Sequence, residues 1–213
     1  MKIVLFGATG MVGSRIAAEA VARGHEVVAV SRSGDAPVDS PRLTAVAGDA
    51  GSATTVADLA RGGDVAASAL APPRDGTDPR APFVALNTAL LDGLRSAGVR
   101  RVVIVGGAGS LEVAPGTALM DAPGFPAEYG PEAAAHADLL AMLRRVTDPR
   151  WTCVSPAAVI APGERTGTFR TGGDSLLTDA EGNSNISAED YAIAFVDEIE
   201  KAEHPQARIS VAY

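Results

Sequence analysis

The 213-residue chain is long enough for one α/β domain with a sizeable core, and its net charge of −8 argues against nucleic acid or an anionic membrane as partner, since either would need clustered Lys and Arg. Hydrophobic residues make up 46% but aromatics only 4%, so the core must come from Ala, Val, Leu and Ile, as suits a parallel sheet buried on both faces. The single cysteine, Cys153, excludes an internal disulfide and a cysteine-based metal cluster, and in the apolar run Trp151-Thr152-Cys153-Val154 it reads as a small buried hydrophobe.

The first element is a strand, Ile3 to Phe6, running into Gly7-Ala8-Thr9-Gly10-Met11-Val12-Gly13 and then an alanine-rich helix that stops at Gly24. A strand, a glycine turn and a helix in that order suit a pyrophosphate. Glycine lets backbone N–H groups come close to an anion, and the helix adds its first-turn donors and about half a positive charge. Gly7 makes the tight turn, Gly10 admits the phosphates and Gly13 lets the helix pack on the strand, with Thr9, Met11 and Val12 contributing backbone. The spacing is G-x-x-G-x-x-G rather than G-x-G-x-x-G.

A second strand, Val27 to Val30, ends in Ser31-Arg32-Ser33. A dinucleotide fold that takes NAD places a carboxylate there, on the adenosine ribose. Here Arg32 stands between two hydroxyls, and a guanidinium grips a 2′-phosphate bidentately. NADP(H) is therefore expected over NAD(H), with NAD(H) still possible, by about tenfold to a hundredfold at roughly 1.5 to 3 kcal/mol per charged hydrogen bond. The other reading of Arg32 is a solvated loop arginine. His25, just before this strand, reads as an exposed cap residue.

Leu43 to Ala47 is a third strand, followed by Gly48-Asp49-Ala50. Asp49 either receives the adenine amino group or caps the turn near Ser52, which opens a helix to Arg61. The fourth strand, Asp64 to Leu70, is followed by Ala71, and the small residues Ser68, Ala69 and Ala71 at its end leave space for ribose and phosphates, with Leu70 among the expected cofactor contacts. Beyond it lies a proline-rich rim bearing Arg74 and Arg80. Phe83 to Ala97 is an amphipathic helix with Leu86, Leu90 and Leu94 in one stripe, and its Asn87 either reaches the neighbouring strand end or sits at the surface. The fifth strand, Arg101 to Val105, closes in Gly106-Gly107, a glycine pair against which a nicotinamide ring could lie.

Residues 111–130 form a long irregular segment placed to wall a pocket. Pro131 opens a helix to about Val146. Arg150 to Val154 is the sixth strand, followed by Ser155-Pro156-Ala157. Residues 156–186, with two short strand-like pieces between Glu164 and Asp179, complete a small substrate-facing lobe with 111–130. Ser187 caps the last helix, with Asp190 in the N3 place of a capping box, and Arg208 to Ala212 reads as an edge strand. The chain is thus one domain, residues 1–213, an α/β doubly wound parallel sheet of Rossmann type with helices on both faces. No run has a signal-peptide pattern or membrane-spanning length, so a cytoplasmic protein, monomer or homodimer, is expected.

With the glycine turn, Arg32 and Gly48-Asp49-Ala50, the chain resembles an atypical short-chain dehydrogenase/reductase, and more narrowly the NAD(P)H-binding, NmrA-like group that includes flavin and biliverdin reductases. The resemblance also covers Ser155-Pro156-Ala157 and the helix start from Ile186 to Ala192, and it implies nicotinamide cofactor binding. The family's catalytic set is a Ser after the fifth strand and Tyr-x-x-x-Lys at the next helix. This chain has Gly106-Gly107 in the serine's place with Ser110 further on, Ala133 four residues after Tyr129, and no lysine between Lys2 and Lys201. Tyr129 and His136, the latter able to titrate near neutrality, remain as candidate catalytic acids. A quinone or flavin acceptor needs little proton help, so an NADPH-dependent reductase of a small conjugated acceptor is the leading expectation. A non-catalytic NADP(H)-binding redox sensor is the alternative, and a nucleotide-sugar epimerase, which needs the same proton donors, ranks third.

Overall fold

The structure is a computed structural model and describes residues 1–213. In chain order the elements are β1 (Lys2–Phe6), α1 (Met11–Ala22), β2 (Glu26–Ser31), β3 (Leu43–Ala47), α2 (Ala53–Ala60), β4 (Val65–Ser68), α3 (Arg80–Ala97) and β5 (Arg101–Val105). There follow β6 (Glu112–Ala114), β7 (Thr117–Ala118), α4 (Gly130–Leu143), β8 (Arg150–Ser155), β9 (Val159–Ala161), β10 (Arg170–Gly172), β11 (Asn185–Ser187), α5 (Ala188–Lys201) and β12 (Ala207–Ala212).

Eight strands form one sheet in the order β10-β12-β8-β5-β4-β1-β2-β3, parallel throughout except at β10. The chain winds from β1 outward through β2 and β3, returns to the other side of β1 as β4, and continues through β5 and β8. The strand order therefore reverses between β1 and β4, and their carboxyl ends open a crevice there.

Period-two alternation along the buried strands supplies two cores. Ile3 and Leu5 of β1 face α1 and α5, against Ile16, Tyr191 and Phe195. Val4 and Phe6 face α2, α3 and α4, against Val56, Leu90 and Leu139. Leu90, Leu91 and Leu94 of α3 are at most 1% exposed, and at roughly 1.5 to 3 kcal/mol per buried side chain they outweigh the helix's polar outer face. The resulting doubly wound sheet has helices on both faces.

Four local expectations change. Strand β12 is not an edge: it pairs with β8 on one side, while the antiparallel β10 covers the other. Only one strand, β10, forms between Glu164 and Asp179. His25 is buried, its ring contacting the N-terminal amine at 3.3 Å and Glu200 at 2.7 Å. The capping box is half formed. Ser187 Oγ accepts from the Asp190 N–H at 3.0 Å, but the Asp190 carboxylate turns to the 166–167 loop, accepting from both its N–H groups, the Thr166 hydroxyl and Tyr213 Oη.

Candidate functional site

The glycine turn sits at the crevice. Gly7 has φ +78°, and a Cβ there would lie 2.5 Å from the Ala69 carbonyl oxygen, so the turns after β1 and β4 touch through this residue. A Cβ on Gly13 would lie 2.1 Å from the Gly7 carbonyl oxygen, which fixes how closely α1 rests on the turn. Gly10 differs, because its nearest neighbour would be 3.7 Å away and its outer side is open. Gly10 is also the N-cap of α1, with no side-chain cap and no acidic residue in the first turn. The N–H groups of Gly7 and Ala8 bond to Val30, whereas those of Thr9, Met11, Val12 and Gly13 find no acceptor in the chain. Thr9, Gly10 and Met11 are exposed and Val12 half-buried, so an anion-sized cradle of free donors faces outward.

At the end of β2, Ser31 Oγ is committed to the Gly34 N–H at 2.9 Å, while Ser33 is exposed. The Arg32 guanidinium is exposed and makes no hydrogen bond or ion pair within the chain. At the end of β3, Asp49 Oδ1 accepts from the Gly51 N–H at 2.8 Å, a turn-capping role that leaves Oδ2 free, and Ala50 is buried beneath it. Ala69, Leu70 and Ala71 line the exit of β4. Past them, Arg74 reaches Glu132 at 2.9 Å and Arg80 reaches Asp138 at 2.6 Å, both exposed pairs that tie the rim after β4 to α4.

On the other side of the crevice, Gly106 and Gly107 lie flush against their neighbours. A Cβ on Gly106 would be 2.6 Å from Cys153 Sγ and 3.0 Å from Ser155 Oγ, and one on Gly107 would be 2.8 Å from His136 Cβ. Buried Ser155, Pro156 and Ala157 continue this wall. His136 projects from α4, half-buried, with the Phe83 ring edge-on at 5.0 Å. Burial pushes its pKa down to about 4, with Glu132 opposing and Arg74 assisting, so the imidazole is neutral around pH 7 rather than titrating near it. Cys153, fully buried, has its thiol pushed up to about 12 and is inert.

The usual proton relay is missing in space as well as in sequence. Ser110 Oγ is held by Arg208 at 2.8 Å, with Asp174 on the far side of that guanidinium. Tyr191 is buried with its hydroxyl on the Val154 carbonyl, and Tyr213 serves Ser187 and Asp190. Tyr129 ends a 3-10 turn before α4, 59% exposed, its hydroxyl without a partner. Asn87 is buried rather than at the surface, and its amide donates to the Phe83 carbonyl of its own helix at 2.9 Å rather than to a strand end. A groove of about 890 Å³ lies elsewhere, between α3 and α4.

A doubly wound sheet with an uncapped, glycine-led helix at its switch point defines a nucleotide-binding Rossmann protein. The chain belongs to the NAD(P)H-binding family, whose model matches residues 7–202. Its structural relatives agree with the atypical short-chain dehydrogenase/reductase resemblance. A Burkholderia pseudomallei structure, provisionally described as an exported protein, is 52% identical with a TM-score of 0.90, covering 100% of both chains. A Bacteroides thetaiotaomicron structure, provisionally described as an epimerase, is 40% identical with a TM-score of 0.91, covering 100% of this chain and 96% of that one. A Streptococcus pneumoniae structure, provisionally described as an NADH-flavin reductase, is 35% identical with a TM-score of 0.83, covering 100% and 99%. No helix is long and apolar enough to cross a membrane.

Proposed function

We propose that this protein is an NADPH-dependent oxidoreductase that passes hydride to a small conjugated acceptor of quinone or flavin type. The observation that carries the reading is the pairing of a free anion cradle at Thr9–Gly13 with an unpartnered Arg32 at the end of β2. Gly7, Gly10 and Gly13 shape the cradle for a pyrophosphate, and Arg32 with Ser33 receives the 2′-phosphate. Asp49 and Ala50 border the adenine. Ala69, Leu70 and Ala71 pass the cofactor along the switch point, and Gly106, Gly107, Ser155, Pro156 and Ala157 form the bed for its nicotinamide end. When bound, the reduced nicotinamide supplies the hydride. Residues 111–130 and 156–186, joined by hydrogen bonds between Glu112 and the 174–176 segment, wall the acceptor side. The streptococcal relative's provisional description as a flavin reductase supports this class of acceptor. Titration of wild type and Arg32→Ala with NADPH and NADH, read by nicotinamide fluorescence, tests it. Wild type should prefer NADPH by about tenfold or more and the variant should lose that preference. Equal binding of both by wild type would refute the NADPH assignment.

A second reading, an NADP(H)-binding redox sensor, is favoured by one specific observation: the serine, the Tyr-x-x-x-Lys pair and any substitute lysine are all missing. It predicts nucleotide binding without turnover of any acceptor. The epimerase reading suggested by the Bacteroides relative requires paired proton donors, and of the three tyrosines Tyr129 alone has a free hydroxyl.

A further inference from the structure

Five buried polar side-chain atoms in the molecule have no hydrogen-bond partner, and two of them belong to the Arg101 guanidinium. The other three are Ser68 Oγ, Asn87 Oδ1 and His136 Nδ1. Ser68 ends β4, Asn87 looks inward from α3 beside Phe83, and His136 abuts Phe83 and Gly107. Asn87 and His136 thus share Phe83 as a neighbour next to Gly107 at the end of β5, whereas Ser68, paired with Phe6, lies beside the glycine turn.

The imidazole's surroundings fix its tautomer. A buried N–H without an acceptor is among the rarest arrangements in folded proteins, whereas a bare nitrogen is tolerated. With Nδ1 buried and unpartnered, the tautomer that adds no further orphaned N–H carries the proton on Nε2, an atom that is not among the buried unpartnered ones. Gly107 is what permits the approach, because the side chain of a serine there would start 2.8 Å from His136 Cβ. The residue that removes the family's hydroxyl is the same one that admits this imidazole.

We propose that His136 is the acceptor-binding residue of this site, its Nε2–H donating a hydrogen bond to the carbonyl oxygen of a conjugated carbonyl compound. The inference rests on the hydride-transfer reading above and deepens it. The acceptor receives hydride from the reduced nicotinamide dinucleotide at the carbon conjugated to its carbonyl. The hydride electron pair forms the new C–H bond, the carbon–carbon π pair shifts toward the carbonyl carbon, and the carbonyl π pair moves onto oxygen. The nicotinamide loses two electrons and the acceptor gains them. The Nε2–H bond strengthens as negative charge grows on that oxygen, and water then supplies the proton. His136 keeps its own proton throughout, as a neutral donor rather than an imidazolium acid. The charged groups around it are Glu132 of its own helix and Arg74 of the rim after β4, while α3 and β5 present Phe83 and Gly107.

The test compares wild type, His136→Phe and His136→Gln, using NADPH with 1,4-naphthoquinone, together with nitrogen-15 NMR of the imidazole. Expected are an Nε2–H tautomer with no titration above about pH 5, and a kcat/KM flat in His136 charge between about pH 5.5 and 8. His136→Phe should lose about tenfold to a hundredfold in kcat/KM with NADPH affinity unchanged, and His136→Gln, which retains an N–H donor, should recover most of the loss. Wild-type turnover by His136→Phe, an Nδ1–H tautomer, or a rate pKa of 6 to 7 that vanishes in His136→Phe would each overturn the assignment of this residue alone. NADPH binding by wild type without consumption with any acceptor would instead remove the hydride-transfer reading, and the inference with it.

Discussion

Gly10 and Gly13 look equivalent in a glycine triplet, yet their surroundings separate them. A methyl group at Gly13 collides with the Gly7 carbonyl at 2.1 Å, whereas one at Gly10 meets no protein atom closer than 3.7 Å. Gly13→Ala should therefore lower the melting temperature by several degrees, consistent with an overpacking cost of about 1 to 3 kcal/mol. Gly10→Ala should leave the melting temperature near wild type while weakening NADPH binding by about tenfold or more, as measured by fluorescence titration. The strand, glycine turn and helix were legible because the three follow one another in the chain, although Gly7 itself packs against Val30 and Ala69 from elsewhere. His25 and Ser110 were not, since their partners lie 175 and 98 residues away and no local pattern announces Glu200 or Arg208.

At the level of elements, β1 and β5 could be read from the continuous apolar runs that burial on both faces leaves, and α3 from its helical stripe. The interior place of β12 could not, since it depends on β10, three residues that return antiparallel after a long irregular stretch. The start of α5 combines both kinds of information. Ser187 is a cap by local sequence, but it also donates to the Glu164 carbonyl at 2.7 Å and so joins the 163–169 loop to the helix. Ser187→Ala should cost about 1 to 2 kcal/mol in urea unfolding, at the upper end of cap losses because two hydrogen bonds go together.

Across the whole molecule, pH acts through groups whose folded pKa lies below its ordinary value. His136 titrates at about 4 against 6.5 when unfolded, so the unfolded chain binds more protons between those values. Stability is complete above pH 6.5 and declines as pH falls toward 4, by at most roughly 3 kcal/mol. Asp190 extends the decline below its ordinary 3.8: burial pushes its pKa up, but hydrogen bonds from Thr166, Gly167 and Tyr213 outweigh that. Urea midpoints should therefore be lower at pH 5 than at pH 7, and His136→Phe should flatten that difference.

Helix α1, which carries the anion cradle, rests on α5, and the two are fastened by Arg15 to Glu189 at 2.6 Å and by Arg23 to Asp197 and Glu200 at 2.6 and 2.7 Å. These contacts join residues 174 to 177 positions apart. During synthesis the glycine turn emerges long before the helix behind it. A chain cut before Ala188 would have every cradle residue in place, but only the sheet and not α5 against the apolar side of α1. Full support for the cradle therefore forms only after α5 has been made.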